Sequence, residues 1–155
     1  MQTLEQFREL LEFDDWANGL ILASLKSSPN PSRPAIRAFA HLLIAEKMWL
    51  KRLWENLDTT GFNFWSGDTI EFCEALYREN KQKFAELFDV MTEDSLATIA
   101  TYKNSEGKEF SNSIREILTH VFFHSGHHRG QILTYIRAGG EIPPYVDFIG
   151  FLRQK

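Results

Sequence analysis

The stretch "HVFFHSGHHRGQIL", residues 120–133, places four of the chain's five histidines within nine positions. Imidazole at that density can hold a transition-metal ion, or titrate as an exposed patch near neutral pH. The segment reads as a helix, on which each residue advances about 100° and rises about 1.5 Å. With Ile114 taken as zero, Leu118, Val121, Ile132 and Ile136 fall within roughly 40° and mark an apolar face. His128 then stands at about 320°, at the edge of that face, and His124 at about 280°, on its shoulder. His127 and His120 point further towards solvent, near 220° and 240°. His120 and His128 are separated by about 12 Å of rise, too far to share an ion. The pairs that remain are His120/His124, His124/His127 and His124/His128. Only the last is directed inward, where a neighbouring helix can add a ligand.

His41, in "FAHLLIAEKMWLKRLW", is the one other histidine. Among apolar residues a histidine is most often a hydrogen-bonded member of the core. Two inward histidines on another helix give it a second reading, because helical bundles build metal centres from side chains on facing helices. Neutral imidazole suits zinc, nickel, copper and iron, so the residue types define a class of metal and not an element. Three protein ligands leave a position free for water or substrate, whereas structural zinc is normally closed by four. The single cysteine, Cys73, reads as a small buried hydrophobe.

Four amphipathic segments position these residues. The first opens at a capping box, Thr3 with Gln6, and runs through Phe7, Leu10, Phe13, Ala17, Ile21 and Leu25. "SSPNPSRP" interrupts it, and Pro34 starts a second helix reaching about Trp54. "LDTTGFNFWSG" is a loop, after which Asp68 and Glu71 suggest a third helix over 69–90. "LATIATYKNSEGKEFS" is rich in β-branched residues with turn chemistry at "NSEG", which predicts a short hairpin or extended excursion. Ser113 and Glu116 form another capping box, opening a fourth helix that ends at Gly139-Gly140. The tail "EIPPYVDFIGFLRQK" begins extended and finishes in a helical turn. The pattern is all-α: a four-helix bundle with a long connection between the third and fourth helices.

Composition narrows the classes. A chain of 155 residues with 43% hydrophobic and 14% aromatic content suits one packed domain spanning 1–155. Its 17 basic and 21 acidic residues are interspersed, for a formal charge of −4, and make no basic stripe for nucleic acid. No apolar run approaches the roughly 20 residues of a membrane span, and the acidic first 20 residues do not read as a signal peptide. One cysteine precludes an internal disulfide, and a reducing cytoplasm is the expected location.

Taken together, these residues resemble the DinB-like (DinB/YfiT) family of metal-binding four-helix bundles. The likeness runs from "FDDWANGLIL" through "AHLLIAEKMWLKRLW" to "HVFFHSGHHRGQIL" and closes at "AGGEIPPYVDF". It implies an up-down-down-up bundle with a long crossover, commonly a homodimer. Carried over by motif, the metal ligands are His41, His124 and His128, holding a divalent ion, with zinc or nickel first and iron or manganese as alternatives. His120 and His127 match family positions that are not usually ligands. Gln131 becomes a hydrogen-bond partner behind a ligand, and Arg129 a surface or interface ion-pair former. Asp15 and Asn18 become bonds between helices. Loop residues Phe62, Phe64 and Trp65 suit an interface, a pocket lid or plain core packing. Relatives of this type resemble thiol S-transferases, thiol-dependent isomerases and metal-dependent hydrolases. The resemblance thus implies a metal enzyme on small molecules, with a low-molecular-weight thiol as one cosubstrate and no catalytic side chain assigned. The alternative is a non-enzymatic metal-binding stress-response protein. Glu46 and Glu141 are the nearest sequence candidates for a base, and no motif places either.

Overall fold

The structure, a computed structural model, describes residues 3–55 and 57–155. Its long helices are α1 (Leu4–Ser27), α2 (Arg33–Leu53), α3 (Ile70–Val90) and α4 (Ile114–Ala138). A 3-10 turn at Asp94–Ala97 and the strands β1 (Ile99–Lys103) and β2 (Glu109–Ser113) join α3 to α4, and α5 (Phe148–Leu152) ends the chain. Both capping boxes form: Thr3 with Gln6 and Ser113 with Glu116 exchange side-chain and backbone bonds. The start of α3 differs from expectation by one position. Thr69 is the cap, its hydroxyl accepting from Phe72 N, because it precedes the first apolar residue by one. The hairpin pairs Ile99 with Ser113 through Lys103 with Glu109, and its turn places Gly107 at φ 82°, a conformation glycine adopts without strain. Ser113 ends β2 and caps α4, so the hairpin sets where the histidine helix begins.

Helix directions follow from which residues meet. Arg8 bonds the Phe88 carbonyl and Lys26 bonds Glu74, so α1 and α3 run antiparallel. Cys73 reaches the Ile36 carbonyl and Asn80 the Leu43 carbonyl, so α2 and α3 run parallel. Phe7 stacks on Phe122 and Asp14 meets Arg129, so α1 and α4 are parallel. The bundle is therefore up-down-down-up. Two parallel neighbours in succession require a connection that climbs back along the bundle, and the 54–69 loop is that crossover. Its path carries Phe64 and Trp65 over α2 at His41.

Two apolar clusters fill the interior. Phe39, Leu42, Leu43, Ile21 and Ile132 centre one, and Phe7, Phe88, Leu96 and Leu118 the other. Cys73 is fully buried, and burial pushes its thiol up to about 12. That environment disfavours a thiolate. No helix among the described residues is long and apolar enough to cross a membrane.

Candidate metal centre

On α4, Leu118, Val121, Ile132 and Ile136 are buried, as the helical arc requires, and the flanking His124 and His128 are partly buried. Facing them, α2 brings His41 into contact. The ring centroids lie 4.4 Å apart for His124–His128, 4.6 Å for His41–His128 and 5.8 Å for His41–His124. One ring nitrogen from each of the three lies within 4.8 Å of the others. No carboxylate or thiol belongs to this group among the described residues.

Hydrogen bonds orient the rings. His41 Nδ1 lies 3.1 Å from the Phe64 carbonyl oxygen, which can only accept. The proton is therefore on Nδ1, and Nε2 keeps its lone pair. His128 Nδ1 donates in the same way to Gln131 Oε1 at 2.8 Å. The Gln131 amide nitrogen in turn lies 3.3 Å from His127 Nε2, which fixes the amide's orientation. This leaves His128 Nε2 as an acceptor, 3.1 Å from His124 Nε2. Only one proton fits between those two nitrogens, and a cation can take its place. Hydrogen bonding of the remote ring nitrogen is how metal-binding histidines are commonly held. The donor set fits a divalent transition metal with one or more open positions.

Electrostatics favour neutral imidazoles. Burial pushes His124 down to about 4, helped by the neighbouring His128, His120, His41 and His127. His128 is lowered as well, chiefly by burial. A group protonated later in the folded state than in the unfolded chain stabilises the fold above the unfolded value and loses that contribution as pH falls. For His124 the window runs from its ordinary 6.5 down to about 4. The metal-free protein should therefore lose melting temperature across that window, and His124→Ala should lose less of it, as followed by circular dichroism. Parallel pH profiles for the two proteins would rule this out.

The remaining expected residues separate. His120 is exposed, edge-on to Trp49 at 5.4 Å, with its pKa lowered by partial burial and then by Arg52. His127 is exposed and held by Gln131. Asp15 accepts from Tyr77 Oη and Lys81 Nζ of α3, both at 2.7 Å, and Asn18 bonds Glu46 and Arg129. Glu141 accepts from Ser28 Oγ, Glu46 is buried and bonded to Asn18, Asn80 and Ser125, and neither carboxylate belongs to the histidine group.

Arg129 corrects the expectation. It is not a surface ion-pair former: its guanidinium is buried against Asp14, Nη1 also donating to Asn18 Oδ1 at 3.1 Å. Asn18 donates to both Asp14 and Glu46, and Glu46 accepts further bonds from Asn80 and from Ser125 Oγ at 3.0 Å. Burial and the nearby Asp14 raise the Glu46 carboxyl well above the ordinary value. The first-helix motif points to Asp15, but the carboxylate in this network is its neighbour Asp14. The available signal was phase: Asp14 shares the buried stripe of Phe7, Ala17, Asn18 and Ile21. Ser125 and Arg129 each follow a histidine of the trio, so their bonds hold α4 at the rotation that turns His124 and His128 towards α2.

Trp65, from the crossover, stacks on His41 with centroids 4.0 Å apart and planes 12° apart. A groove of about 460 Å³ begins at Trp65 and Gln131 and runs along α2 and α4 away from the trio.

Comparison with known proteins was consistent with this architecture. The model of the DinB family matches residues 3–155. The fold is similar to that of a DinB-like protein from Bacillus cereus ATCC 10987, with a TM-score of 0.68 at 21% identity, covering 94% of this chain and 99% of that one. No curated protein matches the chain significantly.

Proposed function

The chain belongs to the DinB family, and on that premise we propose that it is a metal-dependent enzyme of small molecules that joins a low-molecular-weight thiol to an electrophile. The observation that carries this reading is the convergence of His41, His124 and His128, two of them with the remote ring nitrogen already hydrogen-bonded. A divalent cation, zinc or nickel before iron or manganese, would be held by these three residues. When bound, such an ion supplies a Lewis acid that favours the ionised form of a thiol or water. The chain's own residues do the rest. The Phe64 carbonyl and Gln131 hold two rings in the ligating tautomer, Trp65 shields one face of His41 from water, and the groove admits a substrate.

Thiol transfer is favoured over hydrolysis by the absence of a carboxylate from the histidine group among the described residues. A thiol ordinarily titrates near 8.5 and needs only a modest downward shift to ionise at neutral pH. Water starts far higher, and its hydrolytic use commonly recruits a general base. A purely structural ion is disfavoured because three ligands leave the shell open and the bundle has extensive cores of its own.

The test is turnover. Zinc-loaded, untagged protein is mixed with monobromobimane and bacillithiol, mycothiol, glutathione or coenzyme A. In the reaction the thiol proton passes to solvent, sulfur bonds the bromomethyl carbon and bromide leaves. Wild type should accelerate conjugation of at least one thiol, and His128→Ala should fall to the uncatalysed rate. Equal rates for the two proteins with all four thiols would reject the reading.

A further inference from the structure

The groove beside the histidine trio has a polarity that the metal reading does not use. Arg33 and Arg37 lie on its α2 wall, eight and four residues before His41. At about 1.5 Å per residue they stand about 12 Å and 6 Å from it along the helix. Gln131 and Tyr135 line the α4 wall, three and seven residues beyond His128, and Trp65 stands over the inner end. Because α2 and α4 run antiparallel, both walls lead away from the trio in the same direction.

The cations are not fully committed. Arg33 reaches Asp68 at 3.3 Å, but both side chains are largely exposed, at 79% and 52%, so the pair is weak and exchangeable. Arg37 has no ion-pair or hydrogen-bond partner among the described residues, although Asp68 lines the same groove. Both arginines belong to the first turns of α2, where the helix dipole also favours an anion. Trp65 and Tyr135 add flat aromatic surface to the same groove, Trp65 at its inner end on His41 and Tyr135 farther out along α4. In a chain whose formal charge is −4, a groove with two arginines and one carboxylate is locally inverted in sign.

We propose that this groove binds the anionic end of the substrate, a small carboxylic acid with an apolar or aromatic body spanning roughly 6–12 Å between its acid and its reactive atom, the axial distances of Arg37 and Arg33 from His41. The acid group pairs with Arg37 and displaces Asp68 from Arg33, the body lies against Trp65, and the reactive end reaches the trio. This deepens the reading given under Proposed function and rests on it for the reaction, but charge recognition is separable from metal binding.

Calorimetry with 3-phenylpropionate and the uncharged 3-phenylpropionamide tests it, with and without zinc, in wild type and in the Arg33→Gln/Arg37→Gln variant. Wild type should prefer the acid by about tenfold or more, one charge-assisted hydrogen bond's worth. The preference should persist without zinc, because it comes from the arginines, and the double variant should bind acid and amide alike. Both substituted residues are exposed, and an unchanged helical circular dichroism spectrum checks that the variant is folded. Equal affinities in wild type, no acid binding at millimolar concentration, or a preference that survives in the double variant would each overturn the proposal. Acid preference in a protein that fails to take up zinc would support the groove and overturn the metal reading.

Discussion

Replacing Arg129 with methionine is expected to destabilise the bundle by about 3–5 kcal/mol, the usual consequence of stranding one partner of a buried ion pair. The side chains of Arg129 and Asp14 are only 5% and 4% exposed. Without the guanidinium, the Asp14 carboxylate would remain buried beside Glu46, whose own carboxyl is already raised by burial and by Asp14. A methionine fills much of the volume, so the loss would come from the uncompensated charge and not from a cavity. Urea denaturation measures the effect. The double variant Asp14→Asn/Arg129→Met should recover part of the loss, since the stranded charge is then gone. A cost below about 1 kcal/mol, the range of an exposed pair, would mean that water reaches the network.

Removing His124 should have the opposite signature, with a large effect on metal and little on the fold. His124→Ala is expected to weaken zinc binding by more than about a hundredfold, beyond the 10–100-fold typical of losing a hydrogen bond behind a ligand. Gln131→Met, which removes the bond behind His128 Nδ1 together with the one to the non-ligand His127, should fall within that lower range. Competition against a chromophoric chelator reads both. His124 is partly buried and its imidazole is held neutral, so truncation strands no charge in the metal-free protein. Equal zinc affinity in wild type and His124→Ala would remove this residue from the site.

The contrast between these variants reflects what a linear sequence can disclose. Periodicity and caps are local: Thr3 with Gln6, Ser113 with Glu116 and the Gly139-Gly140 stop are each readable within a few residues, and the structure forms them where expected. The inward phase of His124 and His128 is local too, because it needs only the helical repeat and neighbouring apolar residues. The partnership of Arg129 with Asp14 is not, since it spans 115 positions and depends on α1 and α4 being parallel neighbours. An arginine after a histidine run looks like surface until that pairing is known. The crossover posed the same problem. "NFWSG" reads as loop, but only the up-down-down-up order sends that loop past His41, where a carbonyl and an indole complete the ring's surroundings. Arg33 and Arg37 carried a readable signal, their spacing of four from each other and from His41, but its meaning required the antiparallel wall of α4.

X-ray absorption at the zinc edge of untagged, zinc-loaded protein addresses the three-histidine centre most directly. One ion per chain should show three imidazole nitrogens at about 2.0–2.1 Å and a further light-atom ligand. The imidazole signal should drop by one in His41→Ala, if zinc is retained at all. A sulfur scatterer, or an imidazole count that His41→Ala leaves unchanged, would place the ion elsewhere and contradict the site built from α2 and α4.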